Sequence, residues 1–126
     1  MAKFPRSVSM AKSPRVVIIY ELPTGTAAIL EPGIVDAYPG GSIIFRNQTK
    51  NAAQLVVAQA GIFARVPPMV PLTIDAAGDI EFTVDPDAEA GTYQYQVVVT
   101  LENGKRVFAI GASTPRIIIR SSSSGD

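Results

Sequence analysis

The sequence predicts one all-β domain, a Greek-key β-sandwich with flexible termini. The first observation behind this prediction is a series of short runs rich in valine and isoleucine, separated by turn residues about every ten positions. The second is the pair Asn103-Gly104 between two apolar runs, which is the strongest short-range signal of a β-hairpin. The third is that only residues 51–60 have a composition that suits a helix, and their central Leu-Val-Val favours a strand.

Each predicted strand is a run of β-branched or alternating apolar residues. Residues 15–20 (RVVIIY) open the fold, and residues 116–120 (RIIIR) close it. In chain order, strands are predicted at residues 15–20, 27–30, 34–37, 42–47, 54–58, 72–74, 80–84, 92–101, 105–110 and 116–120.

Turns are predicted where proline, glycine and asparagine cluster between these runs. Residues 23–25 (PTG) and 39–41 (PGG) turn the chain, and residues 75–79 (DAAGD) read as a hairpin loop. A second hairpin is predicted at Asn103-Gly104, because both residues tolerate the positive φ of the favoured turn.

A Greek-key corner is predicted at residues 85–95. Tyr93 and Tyr95 alternate with glutamines, which places both aromatic rings on one face of a strand. The tight turn at residues 85–91 leads directly into this strand, as the tyrosine corner of Greek-key sandwiches does.

The two ends of the chain have a different composition from the middle. Residues 1–14 are polar and contain two prolines, so they are predicted to be a flexible arm. Residues 121–126 form a serine-glycine tail of linker composition. The folded domain is therefore predicted to span residues 15–120.

The charge content excludes several partners. Eleven basic and eleven acidic residues cancel, so no long-range field would attract nucleic acid or anionic lipid. Only 17% of the residues are charged and 47% are apolar, which favours a protein partner or self-association that covers one face. The amino-terminal residues lack the apolar stretch of a signal peptide, so a cytoplasmic protein is the default expectation.

The residue inventory argues against catalysis. The chain has no cysteine and no histidine, which removes the thiol nucleophile, the commonest general base and the commonest metal ligands. No phosphate-binding loop or dinucleotide fingerprint is present. We therefore expect a protein that is not an enzyme and that holds neither a metal nor another cofactor.

Residues 34–120 resemble the cupredoxins, a family of small copper proteins. The resemblance rests on a proline-glycine turn at 38–42 (YPGGS) that leads into 43–47 (IIFRN). It also rests on the later 90–96 (AGTYQYQ) and on a short closing strand, 117–119. It implies the cupredoxin sandwich; an immunoglobulin-like sandwich is the alternative, since other sandwiches use similar corners.

The copper site of that family does not carry over. The resemblance would place its first histidine near Ala52 or Ala53 and its cysteine near Val97. A blue-copper centre needs thiolate and imidazole ligands, which alanine and valine cannot supply. The resemblance therefore implies the scaffold without electron transfer, since a fold does not fix a function.

Three carboxylates, Asp85, Asp87 and Glu89, stand at alternate positions of the predicted corner. Oxygen-rich loops of this kind can bind calcium. The favoured interpretation is a turn set by Asp85 and Pro86 whose acidic side chains stay in water, because no distal glutamate completes a calcium loop.

Two groups of residues are candidates for contact with a partner. Residues 65–71 (RVPPMVP) match the pattern of a peptide that binds as a polyproline helix. The favoured interpretation is that they form a rigid crossover between the sheets. Arg116 and Arg120 would share one face of a strand and could clamp an anion. The favoured interpretation is that they keep an edge strand from pairing with other chains. The partner-binding candidates are Arg65, Pro68, Met69, Pro71, Arg116 and Arg120.

Two functions of different classes remain. The first is a metal-free interaction module that presents loops or a sheet face to a protein partner. The second is a self-assembling structural subunit whose terminal arms lace neighbouring copies together. The first is favoured, because folded domains with disordered ends are common and need no lattice.

Overall fold

A computed structural model describes residues 14–57, 60–64, 71–111 and 114–121 of the chain. These residues contain the strands β1 (Arg15–Glu21), β2 (Ala28–Glu31), β3 (Ile34–Ala37), β4 (Ser42–Asn47), β5 (Ala53–Val57), β6 (Leu72–Ile74), β7 (Asp79–Thr83), β8 (Gly91–Thr100), β9 (Arg106–Phe108) and β10 (Arg116–Ile119). A 3₁₀ turn at Ala60–Ile62 was not predicted. Within the described ranges, no helix is long and apolar enough to cross a membrane.

The strands form two mixed sheets that pack face to face. One sheet has the order β2-β1-β4-β7, and the other has the order β3-β10-β8-β5-β6, with β9 paired to β8. Strands β1 and β4 run parallel, as do β3 and β10. Parallel neighbours cannot be joined by a tight turn, so the chain passes from one sheet to the other between them. The predicted all-β sandwich is confirmed.

Period-2 alternation builds the core between the sheets. In β4, Ile43, Phe45 and Asn47 are buried, whereas the intervening side chains point outward. Phe45 lies at the centre, with edge-to-face contacts to Phe82 at 5.9 Å and to Tyr95 at 5.5 Å. These contacts join the two sheets, because Phe82 belongs to one and Tyr95 to the other.

The predicted Greek-key corner is present. The Tyr93 hydroxyl donates to the Glu89 carbonyl oxygen at 2.7 Å, which fixes the entry into β8. At the base of the turn, the Asp87 backbone N–H donates to Asp85 Oδ1 at 2.8 Å. The segment thus has the contacts of a tyrosine corner.

The predicted hairpin at residues 75–79 is wrong. Strand β6 pairs with β5 in one sheet, and β7 pairs with β4 in the other, so the turn connects the two sheets. The turn itself is tight, since the Gly78 N–H donates to the Asp75 carbonyl oxygen at 2.9 Å. Alternation within each strand showed which face is buried, but it carried no information about which sheet each strand joins.

The hairpin at Asn103-Gly104 is confirmed, with a different turn. Strands β8 and β9 pair antiparallel, and Gly104 has a φ of 88°. Asn103 does not have a positive φ, because the loop runs from Leu101 to Lys105 and needs only one left-handed residue. Strand β9 also ends earlier than predicted, because Ile110 leaves it to pair with Ile29 of the other sheet.

Candidate functional site

The positions where the family resemblance would place copper ligands belong to the core. Ala53 and Val97 are both fully buried in the neighbouring strands β5 and β8. Their side chains are hydrocarbons, and the adjacent Ala52 is an exposed alanine. Blue-copper chemistry needs a thiolate and imidazoles, and the whole chain has no cysteine or histidine. These residues therefore do not fit a copper ion.

A polar network occupies the same end of the sandwich. Asn47 is buried, and its Nδ2 donates to the carbonyl oxygens of Asn51 at 2.9 Å and of Ile74 at 3.0 Å. Its Oδ1 accepts from the backbone N–H and the hydroxyl of Thr49, at 2.9 and 2.7 Å. The network is internally satisfied, so it ties the loop after β4 to the turn after β6 and leaves no polar atom aimed at a ligand.

The three carboxylates of the corner do not converge on one point. Among the described residues, no group of three or more acidic, histidine or cysteine side chains is placed to hold a metal ion. Asp85 Oδ1 instead accepts a hydrogen bond from the Asp87 backbone N–H within the turn. These contacts agree with the favoured interpretation of a turn with solvated acidic side chains.

Arg116 begins β10 and Arg120 directly follows it, but the predicted role for them in protecting an edge strand is wrong. Strand β10 has β3 on one side and β8 on the other, so it has no open edge to protect. Arg120 Nη2 lies 3.0 Å from Asp36 Oδ2, an ion pair between neighbouring strands. Both side chains of this pair are largely exposed, so its contribution to stability is small. An isolated sequence run such as RIIIR carries no information about strand order.

The proline-rich candidate segment is only partly described. Arg65, Pro68 and Met69 lie outside the described residues, and Pro71 is exposed just before β6. The flanking residues lie on different sheets: the Ala64 N–H donates to the Thr83 carbonyl oxygen of β7, whereas β6 pairs with β5. The contacts predicted for this segment thus stay a prediction.

A groove that the sequence did not predict lies where the edges of the two sheets meet. It has a volume of about 530 Å³ and is lined by residues 29–34, 110 and 111. Ile110 reaches β2 because its N–H donates to the Ala28 carbonyl oxygen at 3.0 Å and its own carbonyl accepts from Leu30 at 2.8 Å. The floor is tight, since a Cβ on Gly111 would lie 3.0 Å from Gly33 Cα. Residues distant in the chain thus form one apolar concavity.

The lining of the groove includes one highly exposed apolar side chain. Phe108 and Ile110 are the two large apolar side chains that the described residues expose most, at 60% and 53%. Only Ile110 lines the groove. The sequence signal for this site was Pro32-Gly33 between two short strands, which separates β2 from β3 and opens the space between them.

One carboxylate sets the electrostatics of the groove. Of the described residues that line it, only Glu31 is charged, and Glu31 Oε1 accepts from the Tyr20 hydroxyl at 3.1 Å. This hydrogen bond, with smaller effects of burial and of the Glu31 charge, raises the pKa of Tyr20. The Tyr95 hydroxyl donates to the Gly33 carbonyl oxygen at 2.9 Å beneath the groove, and burial raises the pKa of Tyr95.

Comparison with known proteins identifies the fold. No protein-family model matches the chain, and no curated protein sequence matches it. A purple cupredoxin from Nitrosopumilus maritimus is similar, with a TM-score of 0.51 and 11% identity, over 84% of this chain and 99% of that one. An oxidized amicyanin variant is similar over 85% of this chain and 82% of its own, with a TM-score of 0.51 and 15% identity. A reduced amicyanin variant has a TM-score of 0.51 and 14% identity, over 83% and 80%. The fold is cupredoxin-like, and the chain lacks the copper ligands.

Proposed function

We propose that this chain is a metal-free, non-catalytic interaction module that binds a protein partner through the groove at residues 29–34, 110 and 111. The observation that carries the proposal is an apolar concave site whose lining includes Ile110, a large apolar side chain that is 53% exposed. A groove of about 530 Å³ is within the range of natural ligand sites. Exposed apolar surface next to such a site is typical of a contact region for another molecule.

The chemistry of the residues supports a binding role over a catalytic one. Glu31 is the one ionisable side chain among the described lining residues, and it is already hydrogen-bonded to Tyr20. The chain has no cysteine or histidine to act as a nucleophile or base beside it. An apolar groove with one carboxylate on its rim suits recognition of a partner surface.

Site-specific photo-crosslinking in cells tests this function. A photoreactive amino acid would replace Ile110 in one variant and Glu81 in a control variant, because Glu81 is exposed on β7, at the far edge of the sheet that contains β2. We expect position 110 to crosslink to a different protein and position 81 not to. If position 110 crosslinks to nothing, or no more than position 81 does, the proposal is wrong.

The molar mass in solution separates this function from the self-assembling subunit. Light scattering after gel filtration, over a wide concentration range, should give the 13.3 kDa of one chain. A stable oligomer of many chains, weakened by deletion of residues 1–14, would favour the structural subunit with lacing arms instead.

A further inference from the structure

The groove ends at a strand with an open edge. Within the part of the chain that the structure describes, strand β3 is the last strand of its sheet, and only one of its two edges is paired, with β10. The Arg116 N–H donates to the Gly33 carbonyl oxygen and the Arg120 N–H to that of Ala37, at 3.1 and 2.8 Å. Backbone groups alternate in direction along a parallel strand. The N–H and C=O groups of Ile34 and Asp36 therefore point to the open edge.

Most of this open edge is available for pairing. Arg15 Nε donates to the Asp36 carbonyl oxygen at 3.1 Å, which occupies one acceptor. Among the described residues, no hydrogen-bond partner is found for the N–H and C=O groups of Ile34 or for the N–H of Asp36. Ile34 also lines the groove, so the edge and the apolar concavity form one continuous surface.

We propose that this surface binds an extended peptide segment of a partner protein, which adds a strand to β3 and inserts an apolar side chain into the groove. This inference rests on the proposed interaction function and names the class of partner. Backbone hydrogen bonds to an open edge recognise a peptide, and an adjacent pocket selects its side chains. The lining residues that the structure describes carry one charge, that of Glu31, so the segment carries a lysine or arginine near its apolar residue.

A phage-displayed library of short random peptides, selected on the full chain, tests this proposal. We expect the selected peptides to share an apolar residue and a basic residue. Ile110→Arg fills the groove with a charge and should weaken their binding by about tenfold or more, as loss of a central contact does. Phe108→Arg is the matched control, because Phe108 is at least as exposed as Ile110 but is not among the described lining residues, and it should leave binding unchanged.

Two further readouts address the binding mode. Two N-methylated forms of a selected peptide would be made, each with every second backbone amide methylated. The form methylated at the amides that face β3 should not bind, and the other form should bind as the unmodified peptide does. Glu31→Gln retains a hydrogen-bond acceptor for Tyr20 but removes the charge. Peptides selected on this variant should no longer share a basic residue. Equal effects of both methylated sets, or binding that Ile110→Arg does not weaken, would overturn the proposal.

The result also separates this inference from the proposed function. If no peptide is selected while position 110 still crosslinks to another protein, the edge-pairing mode is wrong and the interaction function stands. If a synthetic peptide of residues 1–13 of this chain binds the site in preference to library peptides, the assignment to a separate partner is wrong.

Discussion

Asn47 shows how a single side chain can organise the end of a sandwich that holds copper in proteins of the same fold. Its amide contacts the loop after β4 and the turn after β6, and it is fully buried. Beside it, Ala53 and Val97 fill the space with hydrocarbon. Polar groups at this end therefore hold backbone segments together, and the binding site that we propose is the groove beside Ile110.

Replacement of Asn47 by leucine should destabilise the fold strongly. The substitution removes the Asn47 donor to the Ile74 carbonyl oxygen and the Asn47 acceptor for the Thr49 backbone N–H, so each of these groups loses a hydrogen bond. We expect the free energy of unfolding to fall by about 3 kcal/mol. Urea unfolding measures it, with Gln48→Ala, an exposed neighbouring side chain, as the control that should change little.

Tyr95 should make stability fall in alkaline solution. Burial raises the pKa of Tyr95 above its ordinary value of 10.0. The folded state therefore favours the neutral phenol, so this stabilisation is complete below pH 10 and is lost as the pH rises above it. Urea unfolding at alkaline pH should show a shallower decline in Tyr95→Phe than in the parent chain. Equal declines in the two proteins would contradict this assignment.

At the scale of elements, glycine conformation decides how β8 turns into β9. Gly104 has a φ of 88°, and nothing lies within 4 Å of where its Cβ would be. Its role is thus conformational, since there is room for a larger side chain but the backbone disfavours one. Gly61 has the same open space without a positive φ.

Gly104 and Gly61 give a matched test of this conformational role. Gly104→Ala should lower the free energy of unfolding by about 1 kcal/mol, because alanine is strained at positive φ. Gly61→Ala should leave it unchanged or raise it slightly, because alanine reduces the entropy of the unfolded chain. Thermal unfolding of both variants measures the difference. Equal stabilities of the two variants would show that the hairpin does not depend on the left-handed residue.

At the scale of the whole molecule, local features were predictable from the sequence and long-range pairing was not. The strand at 42–47 and the tyrosine corner at Tyr93 depend on alternation and on neighbouring turn residues, and the sequence predicted both. The inner position of β10 and the passage between sheets at 75–78 depend on which distant strands pair. Short apolar runs do not encode that choice individually.

The groove escaped prediction for the same reason. Its lining joins residues 29–34 to residues 110 and 111, and only the folded chain brings Ile110 against β2. The predicted partner-binding residues were instead chosen from charge and proline patterns. Of these, Arg120 is engaged with Asp36 on the outer face of one sheet.

The central claim is that this cupredoxin-like sandwich acts without copper. The most direct test is to incubate the purified chain with copper, remove the unbound ion and measure the metal that the chain retains. Mass spectrometric analysis of the metal should find far less than one copper ion per chain, because the ligand positions hold alanine and valine. One tightly retained copper ion per chain would contradict the account and show that this chain binds metal, as copper proteins of the same fold do.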